Sequence, residues 1–194
     1  MPPKAKITEE MIVNAAFEIV REQGAEAISA RSVSQRLGCS SQPVMYSFSR
    51  IDNLRKAVYE KADKFHTAYI TDICGAYDNP MLEIGMLYIG FAASEKNLFR
   101  FLFQSDKFRN TSLTELVNAE ELTPILEILK SQTGLDSSRA KDLFTSVFLP
   151  VHGYASMLAN NSMDYDQKYI SDILENTFNG LLFILKGDCN EKKL

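Results

Sequence analysis

The chain has 194 residues, 45% hydrophobic and 24% charged, which is the composition of a globular protein of ordinary domain size. Its three cysteines form no C-x-x-C pair, and no apolar run approaches the roughly 18 residues of a membrane span, so we expect no zinc site, no disulfide framework and no membrane segment. The net charge is −4, and we expect a cytoplasmic protein without a cofactor.

The charge is distributed unevenly along the chain. Residues 27–61 carry six basic and two acidic side chains, whereas residues 62–194 carry 12 basic and 18 acidic ones. A basic stretch in an acidic protein suits contact with a polyanion, although such stretches are also common on ordinary solvated surfaces. Charge by itself does not separate these two interpretations.

The first predicted helix covers residues 7–24. Ile12, Ala16 and Ile19 recur with the spacing of a helix that buries one face. Thr8 precedes two glutamates at the start, where acidic side chains favour a helix, and Gly24 is a natural stop.

A short second helix is predicted in "SARSVSQRLG", with Ser29 as the N-cap and Gly38 as the break. A third is predicted in "SSQPVMYSF". If Ser40 caps that helix, Pro43 falls in its first turn, where a missing backbone N–H costs no hydrogen bond.

The rest of the chain shows helical periodicity and no strand pattern. A helix over residues 51–77 is predicted to be shared by an N-terminal domain, residues 1–50, and a larger domain, residues 51–194. Further helices are predicted over residues 80–94, 95–105, 112–132, 137–160 and 164–186. The predicted fold class is all-α: a three-helix N-terminal unit joined to a larger helical domain.

Residues 30–48 have the pattern of a helix-turn-helix. Two short helices can cross steeply if a small residue stands at their contact and the turn tolerates positive φ, and Ser34 and Gly38 meet these needs. The outer face of the second helix would carry small or hydrogen-bonding groups, which suits close approach to phosphates and base edges. A hairpin that merely packs is the alternative.

Residues 8–65 resemble the DNA-binding domain of the TetR family of bacterial transcriptional regulators. The resemblance covers about a third of the chain and lies in the Ala15-Ala16 pair, the stop at Gly24, "LGCS", the Tyr46 and Phe48 pair and "IDNLRKAV". It implies a ligand-responsive regulator, a repressor in most of the family, that binds a palindromic double-stranded DNA operator as a homodimer and responds to a small effector.

The resemblance also implies which residues contact DNA. Gln42 is predicted to contact a base edge and Tyr46 a phosphate. Where the family commonly has a phosphate-binding lysine this chain has Ile51, so a nearby cation is expected to replace it. The predicted DNA-binding residues are Ser29, Arg31, Ser40, Ser41, Gln42, Met45, Tyr46, Ser47, Arg50, Arg55 and Lys56.

The larger domain is expected to hold the effector. Pro150 and Gly153 predict a break or kink near His152, which could therefore face a cavity or could be an ordinary buried histidine. The aromatic and methionine side chains could line the cavity or simply form core. The candidate effector-binding residues are Phe91, Phe103, Gln104, Phe148, His152 and Met157.

The last two predicted helices are expected to form the dimer interface, because the apolar stripe of residues 173–185 is too broad for one neighbouring helix to cover. Two other kinds of function stay open. One is a helical carrier or enzyme, although the chain has two histidines and lacks the H-E-x-x-H and G-x-S-x-G motifs. The other is an adaptor whose N-terminal unit binds protein.

Overall fold

The computed structural model describes residues 7–104 and 112–191, without the side chains at positions 121 and 188–191. The described residues form α-helices joined by turns, with two short 3-10 segments and no strand, so the all-α prediction is confirmed. In chain order the helices are α1 (Glu9–Gln23), α2 (Ala30–Arg36), α3 (Gln42–Ser47), α4 (Ile51–Ile70), α5 (Pro80–Ser94), α6 (Lys96–Phe103), α7 (Leu113–Val117), α8 (Thr123–Thr133), α9 (Ser137–Asn160) and α10 (Gln167–Glu191).

The first two helices begin and end where the sequence predicts. The Thr8 side chain accepts a hydrogen bond from the Met11 amide, and Gly24 ends α1 at φ 90°. Ser29 and Ser32 form a reciprocal capping box at the start of α2, each side chain accepting from the other's amide at 3.0 Å. These local bonds satisfy amides that the first turn of a helix leaves unpaired.

The shared helix α4 is shorter than predicted and ends at Ile70 rather than residue 77. Beyond it, Gly75 takes φ 78°, and the buried Glu83 carboxylate accepts hydrogen bonds from the amides of Cys74 and Gly75 at 2.8 and 3.1 Å. A carboxylate on α5 therefore binds amides that a longer α4 would have used internally, which is why the helical pattern does not continue.

The predicted helix over residues 112–132 is also wrong, because α7 and α8 are separate. The Asn118 side chain donates to the Thr114 carbonyl at 2.7 Å and closes α7, and α8 begins anew with Pro124 in its first turn. A proline fits there but not in a helix interior. By contrast α9 continues through Pro150 without a break, since Pro150 is exposed and water can satisfy the carbonyl that loses its partner.

The larger domain is built around α9, on which α5, α6, α8 and α10 all pack. One hydrophobic core extends from α1, α2 and α3 through α4 into α5, α6 and α9, and a second lies between α8, α9 and α10. The first core crosses residue 50 without interruption, so the N-terminal helices share apolar packing with the rest of the chain. Within the described ranges, none of the helices is both long and apolar enough to cross a membrane.

Candidate functional site

The turn between α2 and α3 has the geometry of a helix-turn-helix. Gly38 takes φ 63°, a left-handed conformation in which glycine avoids the strain of a side chain. The Cys39 amide donates to the Ser34 carbonyl at 3.0 Å, and Ser34 is buried, with its hydroxyl donating to the Arg31 carbonyl at 2.9 Å. Ser34 is thus a small, buried residue whose backbone carbonyl binds the turn between α2 and α3.

Helix α3 begins at Gln42, and its N-cap is Ser41 rather than the predicted Ser40. Ser41 has helical backbone angles and its side chain makes no capping hydrogen bond. Pro43 is the second helical residue, where no intrahelical bond is lost. Val44, only 1% exposed, fixes α3 to the core, and Phe48 packs against the same core at its end.

The opposite side of α3 is exposed. Tyr46 is 91% exposed and Met45 51%, and Gln42 is exposed at the first residue of the helix. Ser40 and Ser41 are exposed just before it, and Ser47 is half-buried. Met45 and Tyr46 therefore leave an apolar and hydrogen-bonding surface on this side of α3 that another molecule can contact.

The cations predicted beside α3 differ in their surroundings. Arg31, Arg50 and Lys56 are exposed, with Arg50 at the N-cap of α4. Arg55 is half-buried, and its guanidinium lies 3.6 Å from the Glu26 carboxylate. At the other end of the predicted group, Ser29 is exposed but its hydroxyl already takes part in the capping box of α2.

The larger domain contains a cavity of about 220 Å³. Helices α4, α5, α8, α9 and α10 each contribute to its wall, and so does the last residue of α6. The described lining is almost wholly hydrocarbon and consists of His66, Ile70, Met81, Ile84, Gly85, Tyr88, Phe103, Leu122, Ile125, Leu129, Leu143, Phe144, Val147, Phe148, Val151 and Phe178.

Two side chains in this lining carry polar atoms. His66 on α4 is 6% exposed, and burial lowers its pKa from 6.5 to about 4, so the imidazole is neutral at pH 7. Tyr88 on α5 shares a hydrogen bond with Nδ1 of His152 at 2.8 Å, and burial raises the pKa of its hydroxyl above the ordinary value. The cavity wall therefore presents no charged side chain among its described residues.

Two of the solved structures that match this arrangement do so over nearly the whole chain. One is a transcriptional regulator from Rhodococcus sp. Rha1, at 16% identity and a TM-score of 0.56, covering 92% of this chain and 96% of that one. The other is the TetR transcriptional regulator from Nitrosomonas europaea ATCC 19718, at 14% identity and a TM-score of 0.51, covering 90% and 98%. This chain has the TetR-type fold. No protein-family model and no curated protein sequence matches it.

In this TetR-type fold the predicted effector-binding residues do not lie together. Phe103 and Phe148 line the cavity. Phe91 is fully buried behind the wall, 4.9 Å from the His66 ring between centroids. It therefore supports the cavity from the core side.

The three polar or flexible candidates lie elsewhere. His152 is half-buried, and both of its ring nitrogens are hydrogen-bonded: Nδ1 to the Tyr88 hydroxyl and Nε2 to the Ser156 hydroxyl at 3.4 Å. It therefore lies behind the lining with its hydrogen-bonding capacity used. Gln104 is exposed at the end of α6. Met157 is 49% exposed on α9, and neither side chain is part of the described lining.

His66 is a lining residue that the sequence-based prediction missed. An apolar stripe on α4 can be continued from Ala62 to Phe65 or Tyr69, but that choice passes over His66, which keeps a strict spacing of four residues. Leu54, Val58, Ala62 and His66 follow that spacing and are all buried. A histidine in register with three buried apolar residues was the available signal.

Two helices of the TetR-type fold connect the cavity with the N-terminal helices. α4 carries His66 near one end, while Leu54 lies in the core with α1 and α3. α6 ends at Phe103 in the cavity wall, and Asn97 near its start donates to the Arg21 carbonyl of α1 at 3.0 Å. Arg21 also forms an ion pair with Glu95, just before α6. α4 and α6 thus each join the cavity wall to α1.

Proposed function

We propose that the protein is a DNA-binding transcriptional regulator whose α3 lies in the major groove. The observation that carries the proposal is the outer face of α3, where Gln42, Met45 and Tyr46 are exposed on a short helix that Val44 fixes from behind. A recognition helix needs this combination of a rigid inner face and an exposed hydrogen-bonding face. The TetR-type fold, shared with two proteins named as transcriptional regulators, supports the same conclusion.

The side chains of this face have distinct proposed roles. The Gln42 amide can pair with adenine through both its donor and its acceptor. The Tyr46 hydroxyl donates to a phosphate, and Arg50 supplies the cation that stands in for the lysine replaced by Ile51. Arg50 suits that role better than Arg55, because Arg55 faces the Glu26 carboxylate whereas Arg50 is exposed at the start of α4.

We propose that two copies associate through α9 and α10. Leu149 on α9 and Ile173, Phe183 and Ile184 on α10 are 38 to 79% exposed, although the same helices bury their other faces in the chain's own core. Exposed apolar side chains along two adjacent helices are typical of a surface that a second subunit covers. Such a dimer would place two α3 helices on a palindromic operator.

The cavity provides a physical basis for the response to an effector. A ligand in contact with His66 and Ile70 would touch α4, the helix whose other end packs among the DNA-binding helices. If the ligand binds one arrangement of α4 more tightly than another, it shifts the population toward that arrangement and changes the affinity of the protein for DNA. We propose repression that is relieved by the ligand.

The decisive experiment measures binding to DNA flanking the protein's own gene by fluorescence anisotropy at several salt concentrations. Wild-type protein should select a near-palindromic site, with affinity that falls steeply with salt because phosphate contacts release counterions. Gln42→Ala should weaken binding, while Gln132→Ala, an exposed glutamine on α8, should not. Arg50→Ala should reduce the logarithmic salt slope by about 0.9 for each phosphate that Arg50 neutralises, whereas Lys168→Ala on α10 should leave the slope unchanged.

The same measurement distinguishes the other kinds of function. A carrier or enzyme that uses the cavity, or an adaptor that binds protein, should show no sequence preference and no difference between the two glutamine variants. Salt-insensitive binding or equal effects of both variants would reject the DNA-binding proposal.

A further inference from the structure

His66 is a buried polar group whose Nε2 has no hydrogen-bond partner. The atom is buried in a side chain that is 6% exposed and lines the cavity. The rings of Tyr88, Phe91 and Phe103 approach the imidazole edge-on, with centroids at 5.4, 4.9 and 5.0 Å. Leaving such a group unsatisfied costs about 1 to 3 kcal/mol, so a ligand that supplied a hydrogen-bond partner for it would gain free energy on binding.

The electrostatics of the cavity restrict that partner. No lining side chain in the described part of the chain carries a charge, and an unpaired charge inside a hydrocarbon wall is very costly. Without a ligand the His66 imidazole is neutral at pH 7, because burial lowers its pKa to about 4, so pairing with a carboxylate would require it to take up a proton against that burial. Charged ligands of either sign are therefore disfavoured.

The volume of the cavity and the hydrogen-bonding chemistry of His66 restrict the class of ligand further. A cavity of about 150 Å³ accommodates benzene, so about 220 Å³ admits one or two rings. A neutral imidazole Nε2 either donates or accepts according to its tautomer. A hydroxyl matches both possibilities, whereas a carbonyl or an ether matches one. The terminal rotation of a histidine is soft enough for Nε2 to turn toward a ligand.

We propose that the effector is an uncharged, one- or two-ring, hydrocarbon-rich molecule with a hydroxyl group, and that this hydroxyl hydrogen-bonds to Nε2 of His66. The inference rests on the proposed ligand response and gives it a chemical identity. Tyr88, the other polar lining residue, already shares its hydroxyl with His152, so His66 is the group that gains a first partner.

The test uses the full chain, without DNA, and three probes of one shape: 2-naphthol, naphthalene and 2-naphthoate. Isothermal titration calorimetry on the wild type should show 2-naphthol binding about tenfold more tightly than naphthalene, the ratio of one ordinary buried hydrogen bond. 2-Naphthoate should bind much more weakly than either. His66→Phe keeps a ring but removes Nε2, and should bind 2-naphthol and naphthalene equally. Tyr169→Phe, at an exposed tyrosine on α10 outside the described lining, is the control and should keep the preference.

Three results would overturn the proposal: no binding of either neutral probe, 2-naphthoate binding as well as 2-naphthol, or an undiminished preference in His66→Phe. If His66→Phe does not fold, the wild type decides the question through its ¹⁵N-labelled histidine signals. The Nε2 resonance of His66 should shift with 2-naphthol and not with naphthalene. Equal shifts with both probes would overturn the assignment.

The ligand-binding assay and the DNA-binding assay test different claims, so a negative result in one does not reject the other. Loss of the hydroxyl preference rejects the ligand class and leaves the proposed DNA binding intact. Hydroxyl-dependent binding that leaves operator affinity unchanged supports the ligand class and rejects the effector response.

Discussion

Burial of a neutral His66 predicts a specific loss of stability in acid. The folded protein keeps this imidazole unprotonated until the pH falls to about 4, whereas in the unfolded chain it takes up a proton near pH 6.5. Between these values the unfolded state binds more protons, so the free energy of unfolding decreases as the pH is lowered. Below pH 4 both states are protonated and His66 contributes no further change.

The magnitude follows from the difference between the two pKa values. A tenfold difference in proton affinity corresponds to about 1.4 kcal/mol, so His66 should remove about 3 kcal/mol of stability between pH 6.5 and 4. The groups that face it do not oppose this effect. Tyr88 stays neutral, since burial raises its pKa, and burial also lowers the pKa of His152 behind it.

Urea unfolding measures this loss of stability directly. All samples are kept at one protein concentration, because the stability of a protein that associates depends on its concentration. Wild type and His66→Phe are compared at several pH values between 7 and 4. The substitution can change stability by a constant amount, but the difference between the two curves should grow by about 3 kcal/mol in favour of His66→Phe as the pH falls. Carboxylates and His152 are common to both proteins and cancel. Parallel curves would refute the assignment of a buried, neutral His66.

Three further substitutions test other parts of the structure. Val44→Ala should destabilise the fold by about 2 kcal/mol in urea, because Val44 is 1% exposed and anchors α3; an unchanged midpoint would mean that α3 is not packed as described. Burial would raise the pKa of Glu83, but amide hydrogen bonds from Cys74, Ala76 and Gly75 outweigh it and hold the pKa below 4.5. Glu83→Gln should therefore lower the free energy of unfolding at pH 7. The difference in free energy between the variant and the wild type should shrink as the pH falls through that lowered pKa, and a difference that does not change with pH would contradict this. Phe183→Glu, at a side chain 79% exposed, should yield monomers in sedimentation while Gln132→Glu does not, and equal behaviour of both would reject α10 as the interface.

Elements whose signals lie within a few residues could be predicted from the sequence alone. The starts of α1 and α2 at Thr8 and Ser29 depend on side chains that bond amides three positions away, and the stop at Gly24 needs only one residue. The exposed face of α3 was likewise predictable, because one buried valine sets which side of a six-residue helix faces outward. Such local chemistry is present in the sequence whatever the rest of the chain does.

Two features depend on the packing of the whole chain: the helix ends that distant residues bind, and the set of side chains that share a cavity. α4 stops at Ile70 because Glu83, from the next helix, binds the amides that follow it. His66 is isolated because Tyr88, Phe91 and Phe103 enclose it from two other helices. Periodicity indicates that a residue faces inward, but it does not specify what it meets there. The partners that bury a group or leave it unsatisfied come from remote positions, and the packing of several helices sets their distances.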